Sequence, residues 1–130
     1  MPTIPASHRD LLQSAPVVIL ATKGADGYPQ VSALWFIAET DGTVRMSINT
    51  ARQKAKNLER DPEATIFFID PGNPHHTMEI RGRAVIEPDP GYLLADRVGA
   101  KYGANLRDMD GPGQTRIAVT FVPVKINTFG

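Results

Sequence analysis

Residues 16–49 read PVVILATKGADGYPQVSALWFIAETDGTVRMSIN, and this stretch decides the fold class. Residues 16–22 are a β-branched apolar run of strand length. Asp26-Gly27 follows, and its glycine accepts the positive φ that a tight hairpin turn requires. A second strand is expected over residues 29–39, a second turn at Asp41-Gly42, and a third strand over residues 43–49. Both turns of an antiparallel meander are therefore written in the chain.

Working outward, Ser7 is placed to cap a short helix ending near Ser14, with the acid Asp10 three positions on. Residues 50–60 (TARQKAKNLER) are rich in helix formers, with Asn49 and Thr50 as candidate N-caps and Asp61-Pro62 as the stop. Residues 63–70 (EATIFFID) predict a fourth strand, and a loop at 71–74 leads into a fifth over about 76–87. In residues 91–102, Leu93, Leu94, Val98 and Tyr102 recur at helical spacing. Residues 103–113 are polar and glycine-containing, which predicts a mobile loop. The last strand is expected from 114 to about 122, with Ile117, Val119 and Phe121 on one face and a bulge or edge position at Pro123. Six strands with short turns and only short helices predict an antiparallel barrel, which closes its own edges.

The 130 residues match the usual size of one domain, and 42% hydrophobic with 22% charged residues is ordinary globular usage. A single domain over residues 1–130 is expected. Fourteen basic and fourteen acidic residues cancel. That balance argues against nucleic acid as a partner and against a polybasic membrane anchor. Any anion must be recognised locally. Without cysteine there is no disulfide, no thiolate catalysis and no Cys-ligated metal. The N-terminal MPTIP lacks the pattern of a secretion signal, and no apolar run reaches the ~20 residues needed to span a bilayer. A soluble, cytoplasmic protein is expected.

Residues 31–38 and 64–69 are apolar on both strand faces, although a small barrel buries only the inward one. The outward residues need cover, which predicts a homodimer.

The sharpest chemical feature is residues 47–57, SINTARQKAKN. A strand ends in small polar residues and a helix follows at once, carrying Arg52, Lys54 and Lys56 before any acid. A helix N-terminus offers unpaired N–H groups and partial positive charge, a natural seat for phosphate. Arg52 can grip phosphate oxygens with two parallel bonds and Lys54 adds a point charge. The same stretch also reads as an ordinary solvated helix face. A metal is not expected: His75 and His76 are adjacent, and His76 and Glu79 are three apart, so in a strand each pair points to opposite faces. Arg81 and Arg83 share one face of their strand. Trp35 reads as a core or interface residue.

Several spaced motifs together resemble one family. Arg52-x-Lys54-x-x-Asn57-Leu58-x-x-Asp61-Pro62 before an apolar strand is similar to the flavin and deazaflavin oxidoreductases of the pyridoxamine-phosphate-oxidase-like split-barrel superfamily. Asp26-Gly27-x-Pro29-Gln30-Val31-Ser32 leading to Trp35-Phe36 matches it too. So do Asn73-Pro74 followed by Glu79-Ile80-Arg81-Gly82-Arg83, and Lys101-Tyr102 after a helix. The resemblance spans nearly the whole chain and is nearest to the branch that uses the deazaflavin coenzyme F420.

It implies a mainly β, six-stranded antiparallel split β-barrel with a few short helices, paired as a homodimer with two cofactor sites at the subunit interface. Arg52, Lys54 and Asn57 would hold the phosphate, with Ser47, Ile48, Asn49 and Thr50 lining the neighbouring chain. Pro29, Gln30, Val31 and Ser32 would run beside the ring, largely through backbone groups. His75 and Thr77 would reach the cofactor from the other subunit; His75 stands where relatives often carry an aromatic. The implied activity is F420-dependent hydride transfer to a small organic substrate. An FMN-binding oxidoreductase and a non-enzymatic flavin or F420 carrier are the alternatives, because FMN and F420 both offer a phosphate and a flat ring. The pyridoxamine-phosphate oxidases themselves carry a Trp/Arg-rich C-terminal segment. This sequence ends Thr128-Phe129-Gly130 without one, so that substrate is not expected.

Overall fold

The computed structural model describes residues 1–130. Seven strands form one antiparallel sheet: β1 (Val18–Lys23), β2 (Pro29–Leu34), β3 (Ile37–Ala38), β4 (Val44–Asn49), β5 (Glu63–Asp70), β6 (Asn73–Pro88) and β7 (Arg116–Phe129). Their order is β2-β1-β5-β6-β7-β4-β3, and the sheet curls into a split barrel around its core. Three short α-helices lie outside the sheet: α1 (Leu11–Ser14), α2 (Gln53–Arg60) and α3 (Leu93–Tyr102). None is long and apolar enough to cross a membrane.

Alternation along each strand builds the core. Val18 and Leu20 of β1, Ile66 and Phe68 of β5, and Val119 and Phe121 of β7 face inward, with Ile4 and Leu11 closing the barrel from the N-terminal segment. A smaller cluster of Leu94, Ala95, Val98, Leu106 and Ala118 lies where α3 covers the outer face of β7.

The expected second strand is two strands, which accounts for seven rather than six. At Trp35-Phe36 the chain leaves the sheet because α3 supplies other partners for its backbone. The Phe36 N–H donates to Tyr102 Oη at 3.3 Å, and the Phe36 carbonyl accepts from Lys101 Nζ at 2.7 Å. The Phe36 ring turns fully into the core, and Trp35 stacks on Tyr102 with ring centroids 4.7 Å apart.

Other expectations are corrected. The N-terminal helix is a 3₁₀ turn (Ala6–His8) followed by α1, and Ser7 does not cap it: Ser7 Oγ bonds His8 Nδ1 at 2.8 Å. Asn49 and Thr50 do not cap α2, whose N-cap is Arg52. Asn49 Oδ1 accepts from Ala51 N at 2.8 Å, one turn too early, and Thr50 Oγ1 contacts Thr115 Oγ1 at 2.9 Å. The α3 helix starts at Leu93, capped from Asp89, whose Oδ2 accepts from the N–H groups of Leu94 and Ala95 at 3.1 Å. Leu93 itself is exposed.

The segment 103–113 is pinned rather than free. It contains a 3₁₀ turn (Leu106–Met109) with buried Leu106, and ends in a buried ion pair of Asp110. The last strand runs on to Phe129, and the bulge expected at Pro123 is present. Gly82 pairs with Pro123 while Arg81 pairs with Lys125, so Val124 is the extra residue. Glycine is required opposite the bulge, because a Cβ on residue 82 would collide with the Val122 carbonyl.

Candidate functional site

The α2 helix lies across the open end of β1 and β2, anchored by buried Ala55 and Leu58. The inward-facing polar residues of those strands meet it there. Asn57, fully buried, donates from Nδ2 to Thr22 Oγ1 at 3.0 Å and to Gln30 Oε1 at 3.1 Å. Its Oδ1 accepts from Gln53 Nε2 at 2.9 Å and from Arg60 Nη2 at 3.3 Å. Every hydrogen-bonding atom of the Asn57 amide is thus engaged within the chain, so this side chain fixes the helix to β1 and β2.

Lys54, in the first turn of the helix, points to the same corner. Its Nζ lies 3.4 Å from Ser32 Oγ and pairs with no carboxylate. Burial lowers its pKa below the ordinary lysine value, and the nearby charges of Arg52 and Arg116 lower it further. Arg52 is exposed and makes no side-chain hydrogen bond. Of these cations Lys54 and Arg52 have no carboxylate partner in the chain, a setting in which an anion gains on both.

Arg116 was not singled out in the sequence, yet it links this corner to the pinned loop. Its guanidinium grips Asp110 in a two-pronged bond, Nε to Oδ2 at 2.8 Å and Nη2 to Oδ1 at 2.9 Å. A third nitrogen, Nη1, reaches Ser47 Oγ at 3.3 Å. Asp110 also accepts from Tyr92 Oη at 2.6 Å and from Asn49 Nδ2 at 2.8 Å. Burial alone would push the Asp110 carboxyl up. The bonds from Arg116, Tyr92 and Asn49 outweigh it and bring the pKa down to about 2.

The residues expected to bind the cofactor thus divide. Arg52, Lys54, Ser32 and Gln30 gather at the α2 corner, with Gln30 and Ser32 facing inward and Pro29 and Val31 outward. Because β2 is an edge strand, its outer row of backbone N–H and C=O groups has no ladder partner. The side chain of Ile48 is in the core, and those of Ser47, Asn49 and Thr50 are engaged with Arg116, with Asp110 and Gln114, and with Thr115. His75 and Thr77 are not brought to this corner within one chain. Thr77 pairs with Ile69 and Thr22 with Ala64, which puts them roughly 16 Å apart along β5 at ~3.3 Å per residue.

The outward face beside β2 is apolar. Ala33, Ile19 and Phe67 form one cross-strand row, and Val31, Ala21 and Thr65 the next. Val31 is 61% exposed. Glu79 and Arg81 continue the two rows on β6 and give the patch a charged border.

A family model described as pyridoxamine 5'-phosphate oxidase matches residues 4–127. Among curated proteins no sequence matches. Among solved structures, an F420 reductase is 30% identical, covering 95% of this chain and 98% of its own, with a TM-score of 0.82. A putative pyridoxamine 5'-phosphate oxidase from Listeria innocua is 19% identical over 91% of each chain, TM-score 0.66. HutZ, the heme storage protein of Vibrio cholerae, is 21% identical over 99% of this chain and 96% of its own, TM-score 0.73. The last two likenesses establish the fold alone.

Proposed function

This chain belongs to the pyridoxamine 5'-phosphate oxidase family, and from that premise we propose that it is a homodimeric reductase using coenzyme F420. The observation that carries the reading is Lys54. A half-buried ammonium without a carboxylate partner, between two arginines, suits a phosphate group. The likeness to an F420 reductase along nearly the full length of both chains favours the deazaflavin over FMN.

Lys54 and Arg52 hold the phosphate. Asn57 and Gln53 orient the α2 turn that carries them, and the Arg116–Asp110 pair fixes the floor. The free backbone edge of β2 at Pro29, Gln30, Val31 and Ser32 offers hydrogen-bonding groups along the ring. When bound, the reduced deazaflavin supplies a hydride to an electron-poor organic acceptor.

The test is a pair of calorimetric titrations of the purified protein, one with F420 and one with FMN. Tight F420 binding and weak FMN binding, followed by oxidation of reduced F420 with an acceptor panel, is the expected result. A preference for FMN moves the protein to the flavin branch. F420 binding without turnover of any acceptor makes it a carrier, and binding of neither reduces the α2 corner to a solvated helix face.

The dimer forms through the apolar rows around Val31 and Phe67, bringing His75 and Thr77 of one subunit to the α2 corner of the other. Val31→Asp buries a carboxylate at that seam without a partner. By sedimentation it is expected to raise the dimer dissociation constant at least about a hundredfold, with F420 affinity falling alongside. An unchanged sedimentation profile would move the interface elsewhere.

A further inference from the structure

His76 lies on the opposite face of β6 from His75, and its imidazole is held at both nitrogens. Nδ1 stands 3.2 Å from the main-chain oxygen of Gly130, which can only accept, so that nitrogen carries a hydrogen. Nε2 stands 3.0 Å from both carboxylate oxygens of Asp10, which in their ionised form also only accept. A neutral ring with its hydrogen on Nδ1 would turn a lone pair toward those oxygens. Something positive belongs at that point, a second proton or a metal ion. Asp70, at the β5–β6 turn, adds a third donor: one ligand atom each from Asp10, Asp70 and His76 lie within 4.8 Å of one another.

The geometry points to a zinc-class divalent cation site made by His76 Nε2 and the carboxylates of Asp10 and Asp70, with its remaining position open to water. The donor chemistry selects the class. One imidazole with two carboxylates suits zinc and neighbouring transition ions, whereas calcium and magnesium favour all-oxygen shells. Two carboxylates also balance the double charge. The Gly130 oxygen on Nδ1 is the outer partner that a metal-bound histidine uses to fix its ring. His8 packs against that ring with centroids 4.3 Å apart. Its own nitrogens are committed to Ser7 Oγ at 2.8 Å and the Phe129 carbonyl at 3.0 Å, so it supports the site without ligating. His76 is shielded, with a side chain 12% exposed, while Asp10 at 52% leaves a way in.

Asp10, the acid three positions after Ser7, faces His76 rather than the N-terminal turn. The pairings of His76 with His75 and Glu79 stay excluded by strand alternation. The ligands come from distant parts of the chain, the residue before α1, the end of β5 and the start of β6, so a bound ion would tie the N-terminal turn to the β5–β6 hairpin.

Calorimetric titration of chelator-treated protein with zinc alone tests the assignment. One zinc per chain is expected, with a rise in melting temperature. Asp70→Asn keeps an oxygen that can accept from Gly72 N, a bond of 2.8 Å, and leaves the His76–Asp10 contact intact. It should weaken zinc binding at least about tenfold, His76→Gln should do the same, and His75→Ala should not. Zinc affinity unchanged in Asp70→Asn, or no stoichiometric binding in the parent protein, would leave His76 and Asp10 as an ion pair only and overturn the site.

Discussion

Asp110→Asn is expected to lower the unfolding free energy by about 3–5 kcal/mol, the usual cost of leaving a buried charge without its partner. The side chains of Arg116 and Asp110 are 8% and 3% exposed, so water cannot replace the lost bonds. An amide also presents only one oxygen where Arg116, Tyr92 and Asn49 now share two. Urea denaturation near neutral pH measures the change, and a loss below about 1 kcal/mol would be the size of an exposed pair instead.

The same carboxylate sets an acid limit. Its folded pKa of about 2 lies below the unfolded value of ~3.9. A depressed pKa stabilises the fold above the unfolded pKa, and the contribution fades as pH falls from about 4 through about 2. The difference is worth about 2–3 kcal/mol, and Asp110→Asn should remove that part of the acid-induced loss.

Lys54→Ala is expected to weaken F420 binding by about 1.5–3 kcal/mol, or about ten- to 150-fold in Kd, the range for one charge-assisted bond. Within the chain the Lys54 ammonium hydrogen-bonds only to Ser32 Oγ, at 3.4 Å. Stability should therefore stay within about 0.5 kcal/mol of the parent, which separates lost binding from lost fold. A pH series sharpens the test. The anion needs the protonated ammonium, and burial with Arg52 and Arg116 nearby lowers the Lys54 pKa. Affinity should thus begin to fall below the ordinary lysine range as pH rises, and this dependence should vanish in Lys54→Ala. Equal affinity in variant and parent would remove Lys54 from the site.

The barrel was legible wherever a local rule had no rival. The Asp26-Gly27 and Asp41-Gly42 turns, the Asp61-Pro62 stop and the Pro123 bulge all stand where short-range chemistry puts them. The break at Trp35-Phe36 was not legible, because Lys101 and Tyr102 satisfy the Phe36 backbone from a helix remote in sequence. Asn49 and Thr50 obeyed their preference for capping backbone or loop groups but found partners in Ala51, Asp110 and Thr115 instead. The cationic run of α2 was visible as composition. Its contacts with β1 and β2, and the presence of Arg116 beside it, depend on strand register that no single-chain pattern specifies.

The place of β7 in the sheet has a consequence in time. β7 stands between β6 and β4, and β3 pairs only with β4. Until β7 exists, the β4–β3 ribbon shares no ladder with the other four strands. A ribosome adds about 5–20 residues per second, so a nascent chain spends a few seconds with β4 and β6 both presenting unpaired edges. Closure of the barrel is thus a late event of synthesis, and the interval before it is when a chaperone has most to protect.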